Sequence, residues 1–366
     1  MFNDLPIFGI CGWSGSGKTT LLESILPLLS ERGLRVVVVK HDVHGITPET
    51  PDKDSERLFR AGADVIVHGP GGSLSRCSAC DEVQLETQLS RLAEQYDLIL
   101  IEGYKHAPWP KVWLTKSDES APLQGISNLV GILPWDTDRT AALTAILDDF
   151  LQKMLNCTPI FGCVLIGGKS TRMGTPKHLL PCADGTRQTW LHRTVSLLQK
   201  VCQKVVLAGA GTVPDDLQQL PHMVDAMETE GPMAGLLAAM RWAPRASWLL
   251  TACDLPNLSC DALKWLAAQR RPGVWAVLPC LDGTGRVEPL LAWHDFRCRM
   301  ILEQFAMKGG CSLQDLASHP KAMRVVVPPE LISAWKDVDS SESIAEHTGD
   351  TAIDVEAKAL SSGRSQ

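Results

Sequence analysis

At 366 residues the chain is long enough to predict two domains rather than one ordinary core. Its 45% hydrophobic and 21% charged content is that of a soluble globular enzyme and excludes a disordered or fibrous protein. A net charge of −7 and a pI near 5.8 exclude a large basic footprint for nucleic acid. Small anions remain open as ligands, because a loop of N–H groups with a few cations holds a phosphate even on an acidic protein.

The amino terminus, MFNDLPIFGICG, lacks a basic flank followed by a long apolar stretch, so no signal peptide is expected. No segment approaches the roughly 20 apolar residues of a membrane span. Twelve scattered cysteines, several within apolar runs (Cys11, Cys163, Cys253), read as reduced thiols of a cytoplasmic protein. Cys77 and Cys80 have metal-ligand spacing, but no second close pair follows. Solvent-facing loop thiols are the plainer reading there, beside a metal or redox role.

In chain order, short apolar or β-branched runs fall at 7–11, 35–39, 64–68, 97–101, 112–114 and 129–133. Helical patterns at 18–32 and 55–63 lie between them, and 140–155 reads as a closing helix. This alternation predicts a mostly parallel sheet covered by helices. NCTPI at 156–160 reads as a linker. The pattern then restarts, with strands expected at 161–168, 204–209, 247–254, 274–279, 288–293 and 323–327 and a helix at 232–243. From about Glu346 the chain has no aromatic residue and little apolar periodicity, which predicts a frayed tail. The expected domains are therefore 1–156 and 157–346, with 347–366 as the tail.

GWSGSGKT, from Gly12 to Thr19, fits G-x-x-x-x-G-K-[ST] between an expected strand and an expected helix. Gly12, Gly15 and Gly17 permit the backbone angles that turn successive N–H groups toward one anion. Lys18 is expected to reach the β- and γ-phosphates, and the Thr19 hydroxyl to ligate Mg²⁺. The acidic group beside such a metal is expected at a neighbouring strand end, where DLILIEGYKH supplies Glu102. Lys40 and His41 end the second strand and lead into a polar loop suited to gating. His41 alone reads more readily as a satisfied strand-end histidine than as a catalytic one.

WSGSGKTTLLE, VVKHDVHG, PDKDSERLFRAGA and LILIEGYKH, in that order over about residues 6–155, resemble the adaptor GTPase of molybdopterin-guanine dinucleotide biosynthesis. The resemblance implies a P-loop NTPase fold, GTP binding with slow hydrolysis, and an accessory role beside a transferase. No clear N-K-x-D guanine motif is present. ILPWD, ending at Asp136, stands where a base-reading loop follows a strand, and guanine preference rests on the resemblance.

A second glycine loop, LIGGKSTRMGTPK, is not a Walker loop, because no Ser or Thr follows a G-K pair at the required offset. Its Lys169, Arg172 and Lys177 suit a triphosphate laid along main-chain N–H groups, Arg by bidentate contact and Lys as a point charge. A basic surface loop is the other reading of the motif by itself. LLTACD ends in Asp254 at the carboxyl end of a buried-looking strand, where open α/β sheets place ligands and where a carboxylate holds Mg²⁺ across a polyphosphate. Asp225 and Asp339 stand in loops that can face the same crevice.

LIGGKSTRMGTPK, VDA…EGPMAGLLAAM, ACDLP, EPLLAW and DVDSSESI, in order over about residues 160–346, resemble molybdenum cofactor guanylyltransferase. This family has a Rossmann-like, glycosyltransferase-A-like α/β fold. Two departures stand out: Ile166 replaces the usual Ala, and D-V-D-S-S replaces the usual N-x-N-T-P. The resemblance implies GMP transfer from GTP to Mo-molybdopterin with release of pyrophosphate, with Mg²⁺ as cofactor. It implies Arg172, Lys177 and Asp254 as catalytic residues and Leu165, Gly167, Gly168, Lys177, Asp225 and Asp254 as nucleotide-binding. Gly12, Gly15, Gly17, Lys18, Thr19 and Glu102 are the expected nucleotide site of the first half, with Thr19 and Asp254 as metal ligands. Molybdoenzyme apoproteins or their chaperones are the implied partners, with no nucleic acid and no membrane. A cytidylyltransferase on the same fold, and a P-loop carrier that only binds the cofactor, are the alternative readings.

Overall fold

The computed structural model describes residues 4–41, 54–61, 65–70, 72–76, 82–117, 124–167, 176–182, 188–282 and 285–337. The chain divides into two compact units, Met1–Met154 and Leu155–Gln366.

In the first unit β1 (Ile7–Gly12) runs into α1 (Lys18–Glu31), followed by β2 (Val36–Lys40) and α2 (Asp54–Arg60). Next come β3 (Val65–Gly69), β4 (Gly72–Arg76), α3 (Glu82–Ala93), β5 (Leu98–Glu102), β6 (Lys111–Leu114), β7 (Leu129–Leu133) and α4 (Arg139–Cys157). Five strands form a wholly parallel sheet in the order β2-β5-β1-β6-β7. Because successive strand residues point to opposite faces, β1 and β5 divide their side chains between two cores. Phe8, Ile10, Leu98 and Leu100 pack with Leu22, Ile25 and Leu29 of α1 and Leu143, Leu147 and Leu151 of α4. Ile7, Ile99 and Ile101 pack on the other side with Leu89 and Ala93 of α3 and with Trp109. Burial on both faces is why these strands read as continuous apolar runs.

The strand expected at 64–68 is seen as β3 from Val65, and it is not in this sheet. Among the described residues β3 pairs only with β4, antiparallel, with Gly69 opposite Gly72. Only two residues separate the paired Gly69 and Gly72, which leaves no room for the crossover that a parallel pairing needs.

The second unit begins at once. α4 continues through Cys157 and β8 (Ile160–Leu165) starts three residues later, so the linker expected at 156–160 is reduced to Thr158 and Pro159. There follow α5 (Trp190–Gln199), β9 (Lys204–Ala208), β10 (His222–Met223), α6 (Pro232–Trp242), β11 (Ser247–Ala252), α7 (Cys260–Ala268), β12 (Ala276–Cys280), β13 (Leu291–His294), α8 (Cys298–Met307) and β14 (Ala322–Val326). Seven strands form one sheet, β10-β9-β8-β11-β13-β12-β14, in which only β13 is antiparallel to its neighbours. α6 and α8 cover one face and α5 and α7 the other. The strand expected at 288–293 starts later, at Leu291, because Val287 and Glu288 first bridge and bond back to β12.

Cys11, Cys163 and Cys253 are buried thiols. Among the described residues no helix is long and apolar enough to cross a membrane. Cys77, Cys80 and the tail from 347 lie outside the described residues.

Candidate functional site

Both sheets gather loops at the carboxyl ends of their parallel strands, and each carries one glycine loop there. In the first unit Gly17 is the N-cap of α1 with φ 86°, in the left-handed region that a Cβ disfavours, and no side chain caps the helix. The first N–H groups of α1 are thus left for an external acceptor. Lys18 folds over this loop, its Nζ donating to the carbonyls of Trp13 (2.9 Å) and Gly12 (3.2 Å). Burial pulls the Lys18 pKa down, and the Glu102 carboxylate works against that shift.

Thr19 Oγ1 donates to both carboxylate oxygens of Glu102, at 3.2 and 3.3 Å. The parallel register sets this pair, because Glu102 stands opposite Ile10, two residues before the loop begins at Gly12. The structure therefore brings together a hydroxyl and a carboxylate 83 residues apart. At the end of β2 the His41 backbone N–H donates to the Glu102 carbonyl (3.0 Å), and its ring lies 4.1 Å from that of Tyr104.

Arg139, the first residue of α4, was not singled out from sequence. Its guanidinium donates to the carbonyls of Ser16 and Pro134, each at 2.8 Å, and to that of Thr115. The phosphate loop, the end of β6 and the end of β7 are thereby tied to one side chain. A lone Arg at a helix start carries no sequence signal for this, since the contact is wholly tertiary.

In the second unit four strands end in one row: Met223 pairs with Ala208, Ala208 with Leu165, and Leu165 with Ala252. The candidate residues Asp225, Gly167 and Asp254 each lie two positions past this row. Lys177 Nζ is 3.6 Å from Asp254 Oδ2, and both side chains are partly exposed. A cation and an anion thus share the crevice mouth above β8 and β11.

Asp225 and Leu165 meet over α6. A Cβ on Gly235 would lie 3.4 Å from Asp225 Oδ1 and 2.7 Å from Leu165 Cδ2, so the absent side chain lets strand end, carboxylate and helix converge. Burial raises the Asp225 pKa, and nearby His222 partly offsets it. His222 Nε2 donates to the Gly209 carbonyl (2.6 Å). Gly209 has φ 115°, and a Cβ there would stand 1.9 Å from the Ile166 carbonyl oxygen. His222, Gly209 and Gly235 were not read from sequence, although the glycine just past KVVLA is a visible mark of close backbone approach. Ile166 is buried, which explains why a larger residue than Ala is accommodated.

Gly168, Lys169, Arg172 and Asp339 lie outside the described residues. Among the described residues no cluster of three or more His, Cys, Asp or Glu side chains is placed to hold a metal alone. Mg²⁺ does not need one. It is commonly bound by one or two carboxylates plus substrate phosphates and water, and Thr19 with Glu102, and Asp254 in the second crevice, offer that kind of oxygen donor.

Two family models match in chain order. Residues 7–133 match the model described as molybdopterin guanine dinucleotide synthesis protein B. Residues 162–322 match that of the MobA-like NTP transferase domain. The molybdopterin-guanine dinucleotide biosynthesis adapter protein of Haemophilus influenzae is 37% identical over 149 residues, 38% of this chain and 82% of that protein. A probable molybdenum cofactor guanylyltransferase of Rhodopirellula baltica is 36% identical over 149 residues, 38% of this chain and 70% of that protein. A molybdenum cofactor biosynthesis bifunctional protein of Synechocystis is 38% identical over 119 residues, 31% of this chain and 33% of that protein.

Proposed function

Since the chain belongs in its first half to the molybdopterin-guanine dinucleotide biosynthesis adapter family and in its second to the molybdenum cofactor guanylyltransferases, we propose that it is a nucleotidyltransferase moving GMP from GTP to Mo-molybdopterin. The products are the guanine dinucleotide cofactor and pyrophosphate. The single observation that supports this most is the row of strand ends in the second unit, which sets Asp225, Gly167 and the Lys177–Asp254 pair along one crevice.

The terminal phosphate of the acceptor attacks the α-phosphorus of GTP in line, and pyrophosphate departs from the opposite side. No protein nucleophile is required, so the residues act by placement and by charge. Gly167 offers backbone to the triphosphate, and Lys177 meets its charge, with Arg172 beside it in the same loop sequence. Asp225 contacts the nucleotide. Asp254 would hold Mg²⁺, which when bound would supply charge stabilisation to the reacting phosphates. In free protein the Lys177–Asp254 contact keeps both groups aimed at the crevice, and at this exposure it adds little to stability.

The first unit binds a separate GTP through Gly12, Gly15, Gly17 and Lys18, with Thr19 and Glu102 as the paired oxygens for its metal. It acts as the adapter of the same pathway, and molybdoenzyme apoproteins or their chaperones receive the product. The cytoplasm is its place of work, a reading supported by ten described cysteines that are all free thiols.

The test is incubation of the full chain with Mg²⁺, Mo-molybdopterin and either GTP or CTP. Formation of the guanine dinucleotide with GTP is the expected result. Cytosine dinucleotide from CTP alone would assign the other branch of the fold, and no product from either would leave a binding protein.

A further inference from the structure

β6 runs directly into Thr115-Lys116-Ser117-Asp118, a T-K-x-D segment. It has the form of N-K-x-D, in which the closing carboxylate accepts the ring N–H and the exocyclic amine of guanine together. In the sheet β6 is the immediate neighbour of β1, and Leu114 stands opposite Gly12. The phosphate loop and the base-reading segment therefore start side by side, from the ends of adjacent strands. One nucleotide engages both only if the two loops keep a fixed spacing.

Two features of the structure hold that spacing. A Cβ on Gly12 would stand 2.6 Å from the Leu114 carbonyl oxygen and 2.5 Å from Ser16 Oγ, so the phosphate loop lies directly on the end of β6. Arg139 then ties the two loops together, each of its guanidinium nitrogens donating to a carbonyl of a different segment. Nη1 bonds Ser16 inside the phosphate loop (2.8 Å), Nη2 bonds Thr115 at the head of the T-K-x-D segment, and Nε bonds Pro134 beyond β7 (2.8 Å). A guanidinium presents its donors in one rigid fork, which fixes the three carbonyls relative to one another. The fork is itself braced. The Trp135 ring lies 5.2 Å from it, and Thr137 Oγ1 donates to the same Pro134 carbonyl (2.9 Å). Thr115 is buried, and its N–H donates to the Leu133 carbonyl (3.2 Å), so the head of the base-reading segment is held from both sides.

We propose that Arg139 is a positioning residue for the nucleotide of the first unit: its guanidinium sets the phosphate loop of Gly12–Thr19 and the T-K-x-D segment at the one spacing where a bound triphosphate presents guanine to the base reader. This inference rests on the GTP-binding reading of the first unit and deepens it. The phosphate end does not depend on Arg139 for its own shape, because the loop closes on itself through the Ser16 N–H and the Trp13 carbonyl (3.2 Å) and runs straight into α1. Adenine presents a ring acceptor where guanine presents a donor, so ATP is held by the phosphate end alone. GTP is held at both ends, and the second end adds affinity only where the geometry lets both engage at once. Loss of Arg139 therefore costs the choice of guanine rather than the binding of phosphate.

Equilibrium binding of GTP and of ATP to the full chain tests this, with the component lost in Lys18→Ala defining the phosphate-loop site. The parent is expected to prefer GTP at that site. Arg139→Ala is expected to weaken GTP about tenfold and ATP by less than about twofold, so that the preference collapses. Arg139→Lys keeps the charge but replaces the fork with a single donor atom, and it is expected to lose the preference as well. Retained ATP binding shows in the same experiment that each variant is folded. Equal loss of GTP and ATP would reduce Arg139 to a structural brace and overturn the proposal. A preference that survives Arg139→Ala, or that Arg139→Lys keeps in full, would overturn it too, as would a parent that binds GTP and ATP alike at this site. A parent chain with no Lys18-dependent binding would instead remove the reading on which it rests.

Discussion

Asp254 and Lys18 stand in comparable places, each beyond the carboxyl end of a strand paired in parallel, and in the proposed function they serve different triphosphates. Asp254→Asn keeps the shape and removes the charge, and a hard cation favours ionised oxygen. GMP transfer should fall by about 10²-fold or more, the scale of losing a major electrostatic stabiliser, with an unchanged circular dichroism spectrum. Near-normal transfer at ordinary Mg²⁺ would move the metal to Asp225 or Asp339. A different residue contributes to the acid dependence of stability. His294 is fully buried, its ring nitrogens have no hydrogen-bond partner among the described residues, and burial holds its pKa down at about 3. The unfolded chain takes up that proton near pH 6.5 and the folded chain does not. Stability from this residue is therefore complete above about pH 6.5 and declines as pH falls toward 3. Between pH 7.5 and 5 the loss is about 2 kcal/mol. Urea unfolding of His294→Leu should show a correspondingly flatter pH dependence, and an equal slope in both proteins would place the acid sensitivity elsewhere.

At the scale of elements, the contiguous pieces were legible and the encounters between pieces were not. Gly12–Thr19 can be read because its spacing lies within one strand–loop–helix segment, and Glu102 because it ends an apolar run. Arg139 and His222 gain their places from contacts across 123 and 13 residues, and Gly235 from approaches to Asp225 and Leu165, 10 and 70 residues away, for which a single sequence holds no local signal. The antiparallel turn of β13 and the separate β3–β4 hairpin escaped for the same reason, since both depend on pairing partners rather than on strand propensity. Gly209 tests how strictly the second row of strand ends is built. Gly209→Ala forces a Cβ against the Ile166 carbonyl at φ 115° and should cost about 3 kcal/mol. Gly309 also has positive φ, 77°, but open space around its Cβ position, so Gly309→Ala should cost only about 1 kcal/mol. Denaturant midpoints at constant m distinguish them. Equal costs would mean that the approach of Gly209 to β8 is loose.

For the whole molecule, the second unit owns a sheet with helices on both faces and two apolar cores of its own. A chain beginning at Thr158 should therefore fold and retain GMP transfer. An insoluble product from that truncation, with the full chain folding well, would show that the second unit needs the first. The central claim is that two glycine loops hold two nucleotides, and that only the second nucleotide is cleaved for transfer. Single-turnover transfer of labelled GMP from GTP to Mo-molybdopterin, measured side by side for the full-length parent, Lys18→Ala and Asp254→Asn, tests it most directly. Loss by about 10²-fold or more is expected for Asp254→Asn and a clear retained fraction for Lys18→Ala. Equal abolition by both substitutions, or transfer that survives Asp254→Asn and is lost with Lys18→Ala, would contradict it.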